Sequence, residues 1–173
     1  TYPATRWQRL FKRARLQPAT DSLAALLRRY ARPASVIHLT AKLPASDMAW
    51  LHRSGDCFVS LTRGEGWGMG AYEASFYGNA VVMTGYGGHL DYLKADAADL
   101  IPYKLVPVRT AYGRGSYRPD HRWAEPDISA AGEALQYLAA NREAAKRRGR
   151  RLQQFVADRF APQRIAADCL EVF

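Results

Sequence analysis

The segment that most constrains the fold spans residues 56–73 and reads DCFVSLTRGEGWGMGAYE. A short apolar run at 57–61 leads into a turn with four glycines in seven residues, and a helical pattern follows: Gly64, Gly66, Gly68 and Gly70. Glycines let backbone N–H groups approach a ligand closely, and a helix N-terminus adds partial positive charge. The segment therefore predicts a strand, a phosphate-binding loop and a helix.

Two carboxylates bracket this loop, Glu65 and Glu73. Carboxylates repel a phosphate, but they accept strong charge-assisted hydrogen bonds from neighbouring sugar hydroxyls. A loop that suits phosphate beside acids that suit hydroxyls indicates a nucleotide-sugar site.

The longer run at 60–93, SLTRGEGWGMGAYEASFYGNAVVMTGYGGHLDYL, resembles the signature of the retaining glycosyltransferases of family 4, which have the GT-B fold. In that family an acidic-Gly-aromatic-Gly loop precedes a helix with a second Glu. A small-residue turn, a strand and a Thr-x-x-Gly-Gly loop follow, and residues 78–84 and 85–88 match them. The resemblance covers at least residues 34–123.

The resemblance implies a transferase of hexosyl type that acts in carbohydrate biosynthesis. Its donor would be a nucleotide diphosphate sugar, and its acceptor a saccharide, a lipid or a protein. Glu65 would act at the catalytic centre by binding hydroxyls of the transferred sugar, and Glu73 would bind the ribose. The remaining donor-binding residues implied are Gly64, Gly66, Trp67, Gly68, Met69, Gly70, Thr84, Gly87 and Gly88.

The chain has no Asp-x-Asp motif and no cluster of metal ligands, so no metal and no cofactor is implied. Members of the family also clamp the diphosphate with an Arg–Lys pair, and no such pair is identifiable before Leu39. The resemblance also implies an acceptor-binding N-terminal domain, which we expect to lie outside these 173 residues. Residues 1–173 are therefore expected to form one Rossmann-like donor-binding domain, the C-terminal half of a GT-B enzyme, that is inactive by itself.

Helix and strand patterns alternate along the chain, which predicts an α/β fold with a mostly parallel sheet and helices on both faces. Loops that follow parallel strands open at one edge, where a single ligand can touch both. The predicted strands are at 36–39, 57–61, 80–83, 100–101 and 105–108. The predicted helices are at 6–15, 21–32, 46–55, 70–77, from 126–127, around 152–156 and from 162, with a helical turn at 89–93 and a functional loop or insertion at 109–125.

The net charge of +9 is concentrated in two blocks, at 6–15 and 146–151, both on predicted helices. Such blocks are usually solvated helix faces. Contact with an anionic membrane or a polyanionic acceptor is the alternative, and nucleic-acid binding is disfavoured because no recognition motif accompanies the charge.

No apolar run approaches the ~18 residues of a membrane span, and no signal-peptide pattern is present, so a cytoplasmic location is expected, with peripheral inner-membrane contact as a variant. Cys57 and Cys169 are predicted to be small buried hydrophobes. The functional alternative to a transferase is a non-catalytic module that binds nucleotide sugar or a protein partner within a larger polysaccharide-biosynthesis protein.

Overall fold

The structure is a computed structural model that describes residues 25, 27–29, 35–108, 117–118 and 120–170. The chain divides into two compact units, Thr1–Leu51 and His52–Phe173. The predicted helix at 6–15 and most of the one at 21–32 lie outside the described residues. Whether residues 1–173 form a single domain stays a prediction.

In the first unit, the predicted buried strand at 36–39 is wrong. Residues 36–39 have no strand assignment, and Val36 and Ile37 are exposed. A strand is stabilised by hydrogen bonds to a neighbouring strand. No described residue of this unit belongs to a strand that could supply them. The predicted helix at 46–55 is confirmed as α1 (Ala45–Ser54), and the division between the units falls within it.

The second unit is an α/β structure whose described elements follow the predicted alternation. They occur in the order β1 (Cys57–Ser60), α2 (Met69–Phe76), β2 (Ala80–Thr84), a 3-10 turn (Gly88–Asp91), β3 (Asp99–Ile101), β4 (Tyr103–Pro107), β5 (Arg122–Pro126), α3 (Ile128–Ala140), α4 (Arg142–Arg159) and α5 (Pro162–Leu170). Strands β1, β2 and β3 form a parallel sheet in that order, with Cys57 opposite Ala80 and Val82 opposite Asp99. The predicted parallel sheet is confirmed at this small size.

Strand β2 is the centre of the unit, because all five of its residues are buried. Successive side chains of a strand point to opposite faces of the sheet. Val81 and Met83 belong to a cluster with residues of α2 and α4, whereas Ala80 and Val82 belong to a second cluster with residues of α3. Helices therefore cover both faces of the sheet, as the sequence predicts.

Strands β4 and β5 form a separate antiparallel ribbon, in which Tyr103 is opposite Pro126 and Pro107 is opposite Arg122. Strand β5 corrects the prediction that 109–125 is entirely a loop; residues 109–116 and 119 lie outside the described part. The sequence does not predict this strand, because charged residues and proline, which are depleted in strands, make up three of the five residues of RWAEP.

The C-terminal helices pack on the sheet through α3 and α4. Asp127 caps α3 by accepting hydrogen bonds from the backbone N–H groups of Ser129 and Ala130. The basic block at 146–151 lies on α4 as predicted, and Arg148 from this block forms an ion pair with Asp99 of β3.

Among the described helices, none is both long enough and apolar enough to cross a membrane.

The prediction of two buried cysteines is wrong for Cys169 and only partly met by Cys57. Cys57 on β1 is partly buried, and burial together with the nearby carboxylates of Asp99 and Asp56 raises the pKa of its thiol to about 11. Cys169 is exposed, because α5 has no buried residue and so presents all of its side chains to solvent.

Candidate functional site

Two glycine loops meet at the carboxyl edge of the parallel sheet. The loop after β1 and the loop after β2 are joined by a hydrogen bond from the Gly88 N–H to the Glu65 carbonyl oxygen (3.3 Å). A Cβ atom on Gly87 would lie 2.5 Å from that same carbonyl oxygen, and one on Gly88 would overlap the Gly66 carbonyl oxygen. The close approach of the loops therefore depends on both glycines, which explains the Gly-Gly pair.

The four glycines of the first loop have different structural explanations. Gly68 has φ +78°, a left-handed conformation that favours glycine, and Gly70 packs against the Phe58 ring, 3.1 Å from where a Cβ would be. Gly64 and Gly66 have nothing within 4 Å of a Cβ position and no positive φ. The fold therefore favours glycine at Gly68 and Gly70 and leaves open space at Gly64 and Gly66.

Tyr92 holds the first loop from beneath. Its hydroxyl has one proton to donate and lies within hydrogen-bond distance of two carbonyl oxygens, that of Gly68 (2.7 Å) and that of Trp67 (3.0 Å). Burial, and then the charge of the nearby Glu65 carboxylate, raises the pKa of Tyr92 above its ordinary range. The phenol therefore keeps its proton and remains a donor to the loop at physiological pH.

Trp67 and Met69, both predicted to bind the donor, have different surroundings. The Trp67 ring packs against Tyr92 (centroids 5.2 Å apart) and edge-on against Phe160 (5.5 Å). These contacts give the indole a packing role, while Met69 begins α2 with an exposed side chain. Ligand contact by either residue stays a prediction.

The two predicted carboxylates face different neighbours. Glu65 lies on the loop, partly buried, with no ion pair among the described residues. Glu73 lies on α2 with its Oε2 3.4 Å from Nε2 of His52, whose ring stacks on Tyr77 (centroids 5.8 Å apart). The Glu73 side chain is 46% exposed and that of His52 only 9%, so Glu73 keeps a face open to a ligand.

The contact between His52 and Glu73 is not predicted by the sequence. The two residues are 21 positions apart on separate helices, and no motif or periodicity connects them. Only the tertiary fold brings them together.

Thr84 and His89 lie beneath the Gly87–Gly88 loop and are fully buried. His89 Nε2 is 2.7 Å from the Thr84 carbonyl oxygen and must donate its proton there, since a carbonyl only accepts. The Thr84 hydroxyl and His89 Nδ1 have no hydrogen-bond partner in the described part of the chain. The pair thus anchors the second loop to the end of β2 from inside the fold.

A cleft of about 590 Å³ opens beside Gly64, between residues 61–64, Tyr86 and the β4–β5 ribbon. The Ala124 N–H of the ribbon donates to the Arg63 carbonyl oxygen (2.9 Å), which fixes the ribbon to the end of β1. The Arg63 guanidinium donates to both carboxylate oxygens of Glu125 and lies 4.7 Å from the Trp123 ring centroid. This hydrogen bonding lowers the pKa of Glu125, so the pair stays ionised.

Within the described ranges, no group of three or more His, Cys, Asp or Glu residues could hold a metal ion. The site is built from backbone donors, two carboxylates, buried anchors and an aromatic cleft. No protein-family model matches this chain, and a search of curated proteins finds no significant match.

Proposed function

We propose that the second unit binds a nucleotide diphosphate sugar at the two glycine loops and is the donor-binding part of a retaining glycosyltransferase resembling family 4. The observation that carries this proposal is the direct contact of the loops, Gly88 N–H to Glu65 carbonyl, beside open space at Gly64 and Gly66. The contact brings Glu65 and two glycines with open space at their Cβ positions to one edge of a parallel sheet, where ligands of such sheets bind.

The diphosphate would lie against the backbone between Gly64 and the first turn of α2. N–H groups in the first turn of a helix have no partner within the helix, and the helix dipole favours an anion there. Tyr92 holds the Gly68 carbonyl from behind, so the loop meets the ligand in a fixed conformation. A preformed loop loses less conformational entropy on binding.

The two carboxylates would read hydroxyl groups at either end of the diphosphate. Glu65 on the loop would accept from the transferred sugar, and Glu73 on α2, half-exposed beside His52, would accept from the ribose. A carboxylate accepts two neighbouring hydroxyls, which favours a diol.

Transfer would depend on stabilising the charge that develops on the leaving diphosphate. Backbone N–H groups fixed in advance do this without reorganisation during the reaction. The leaving phosphate would take the proton of an acceptor hydroxyl that attacks from the same face, which retains the anomeric configuration. The acceptor would be a saccharide, a lipid or a protein.

Calorimetric titration of the 173-residue chain with UDP and with GDP tests the proposal. We expect one nucleotide to bind, and Glu73→Ala to weaken it about tenfold or more, because a hydrogen bond to a charged group contributes about 1.5–3 kcal/mol. Glu133→Ala, which removes an exposed carboxylate from α3, is the matched control and should leave the affinity unchanged.

His52→Gln separates the two roles of Glu73, since it removes the imidazole that lies 3.4 Å from the carboxylate and leaves the carboxylate in place. Affinity close to that of the unmodified chain would assign the effect of Glu73→Ala to ligand contact. The proposal fails if neither nucleotide binds, or if Glu73→Ala and Glu133→Ala have the same effect.

A further inference from the structure

The cleft beside Gly64 is distinct from the contact between the glycine loops. Its walls are residues 61–64 at the end of β1, Tyr86 after β2, and the β4–β5 ribbon with Trp123. Its volume of about 590 Å³ is within the range of small-molecule sites. It is open on one side, so a ligand could extend out of it.

Aromatic rings line this cleft and remain accessible. Tyr86 is 37% exposed and Tyr117 is 47% exposed, and the Tyr117 ring meets Trp123 at 72° with centroids 6.4 Å apart. The Trp123 ring is fixed on another side by the Arg63 guanidinium. Because the face of an aromatic ring is negative, it attracts the C–H bonds on the apolar face of a sugar ring.

The charge in the cleft is unevenly distributed. The Arg63 cation is already neutralised by two hydrogen bonds to Glu125. Arg122 is exposed on the rim, and among the described residues its guanidinium forms no ion pair. His121 accepts from the Arg118 N–H through Nδ1, which leaves its Nε2 available. The rim therefore favours an anionic group.

We propose that this cleft binds an acidic saccharide, with a sugar ring against Tyr86 and a carboxylate on Arg122. A planar guanidinium matches a carboxylate with two parallel hydrogen bonds. The cleft lies on the Gly64 side of the loop, whereas the Glu73 carboxylate faces His52. The two sites adjoin at Gly64 and differ in their other residues, and the proposal does not require that a nucleotide binds.

Two disaccharides that differ in one carboxylate provide the test: glucuronic acid β-1,4-linked to glucose, and neutral cellobiose. Each is titrated into the 173-residue chain while the indole N–H signals are followed by NMR, with Trp123→Phe used to assign the relevant signal. We expect the acidic disaccharide to shift the Trp123 signal and to bind more tightly than cellobiose. Arg122→Ala should abolish this preference, weakening the acidic sugar about tenfold while leaving cellobiose unchanged.

Matched variants separate the cleft from general charge attraction. Arg150→Ala removes an equal charge from an exposed position on α4, and Phe76→Ala removes an exposed ring from α2. Neither variant should alter binding of the disaccharides. Tyr86→Ala should weaken both disaccharides. The side chains replaced in these variants and in Arg122→Ala are all exposed, so the four variants should fold. Far-UV circular dichroism checks this.

The proposal is overturned if neither sugar shifts the Trp123 signal, if the two sugars bind equally, or if Arg150→Ala has the effect expected of Arg122→Ala. UDP and GDP titrations on the same samples keep the two proposals apart. Sugar binding without nucleotide binding would remove the proposed function and leave the cleft assignment standing. Nucleotide binding without sugar binding would do the reverse.

Discussion

Gly149 lies inside α4 and packs against the turn that joins α2 to β2. An added Cβ would overlap the Gly78 carbonyl oxygen and would lie 2.7 Å from the Gly78 carbonyl carbon and 3.0 Å from that of Asn79. Alanine in a helix interior is normally about 1 kcal/mol more favourable than glycine. Because the obstructing atoms are backbone on both sides, we expect Gly149→Ala to destabilise the protein instead.

The magnitude follows from the distance that α4 would have to move. Ordinary contact begins at 3.4 Å, so relieving the 2.7 Å approach requires at least 3.4 − 2.7 = 0.7 Å. Leu152 and Val156 on α4 are fully buried in the cluster with β2, and such side chains contribute about 1.5–3 kcal/mol each. A gap of about 0.5–1 Å forfeits a quarter to a half of a contact's attraction, or about 1–3 kcal/mol for the two.

The Gly78 carbonyl oxygen is nearer than the carbonyl carbon, so the upper end of this range applies. After about 1 kcal/mol of helix propensity is subtracted, Gly149→Ala should lower the free energy of unfolding by about 2 kcal/mol. Gly132→Ala is the matched control, since Gly132 is inside α3 with nothing within 4 Å of its Cβ position. It should raise the free energy of unfolding by about 1 kcal/mol. Urea denaturation of both variants measures the difference. Equal stabilisation by both substitutions would refute the packing argument.

Two further predictions concern the Asp127 helix cap and the partly buried thiol of Cys57. Asp127→Ala should lower the free energy of unfolding by about 1 kcal/mol in urea denaturation, because the cap accepts hydrogen bonds from Ser129 N (2.9 Å) and Ala130 N (3.1 Å). Asp127→Asn, which keeps an acceptor oxygen, should lower it by much less; equal losses in the two variants would contradict the prediction. The raised pKa of Cys57, about 11 against about 8.5 for a free thiol, means that the unfolded chain loses its proton first. The free energy of unfolding should therefore fall as pH rises between these values, less steeply in Cys57→Ala; parallel pH profiles of the two proteins would disprove this.

The central sheet could be predicted because its sequence signals are local and agree with one another. The apolar run of β2 is too short for a helix, and glycine turns bound it on both sides. The helix α2, predicted at 70–77, is found at Met69–Phe76. Parallel pairing then follows from the intervening helix, since parallel strands need a crossover.

The errors occur where a long-range partner decides the structure. Residues 36–39 have the composition of a strand, but a strand also needs a neighbour. Strand β5 has the opposite character, a charged run that pairs because β4 lies beside it. The cleft could not be predicted for the same reason, since Arg63 and Glu125 are 62 positions apart.

The glycines of the two loops fall into two groups, those that packing or backbone conformation explains and those that it does not. Packing or backbone conformation accounts for Gly68, Gly70, Gly87 and Gly88, so any chain with this loop geometry would favour glycine there, whether or not it binds a ligand. Gly64 and Gly66 are different, because nothing within the protein excludes a side chain at either position. Glycine in an exposed loop also costs conformational entropy on folding. A ligand that needs the backbone bare would account for both, and for that reason these two positions are the strongest argument in the loop for a binding site.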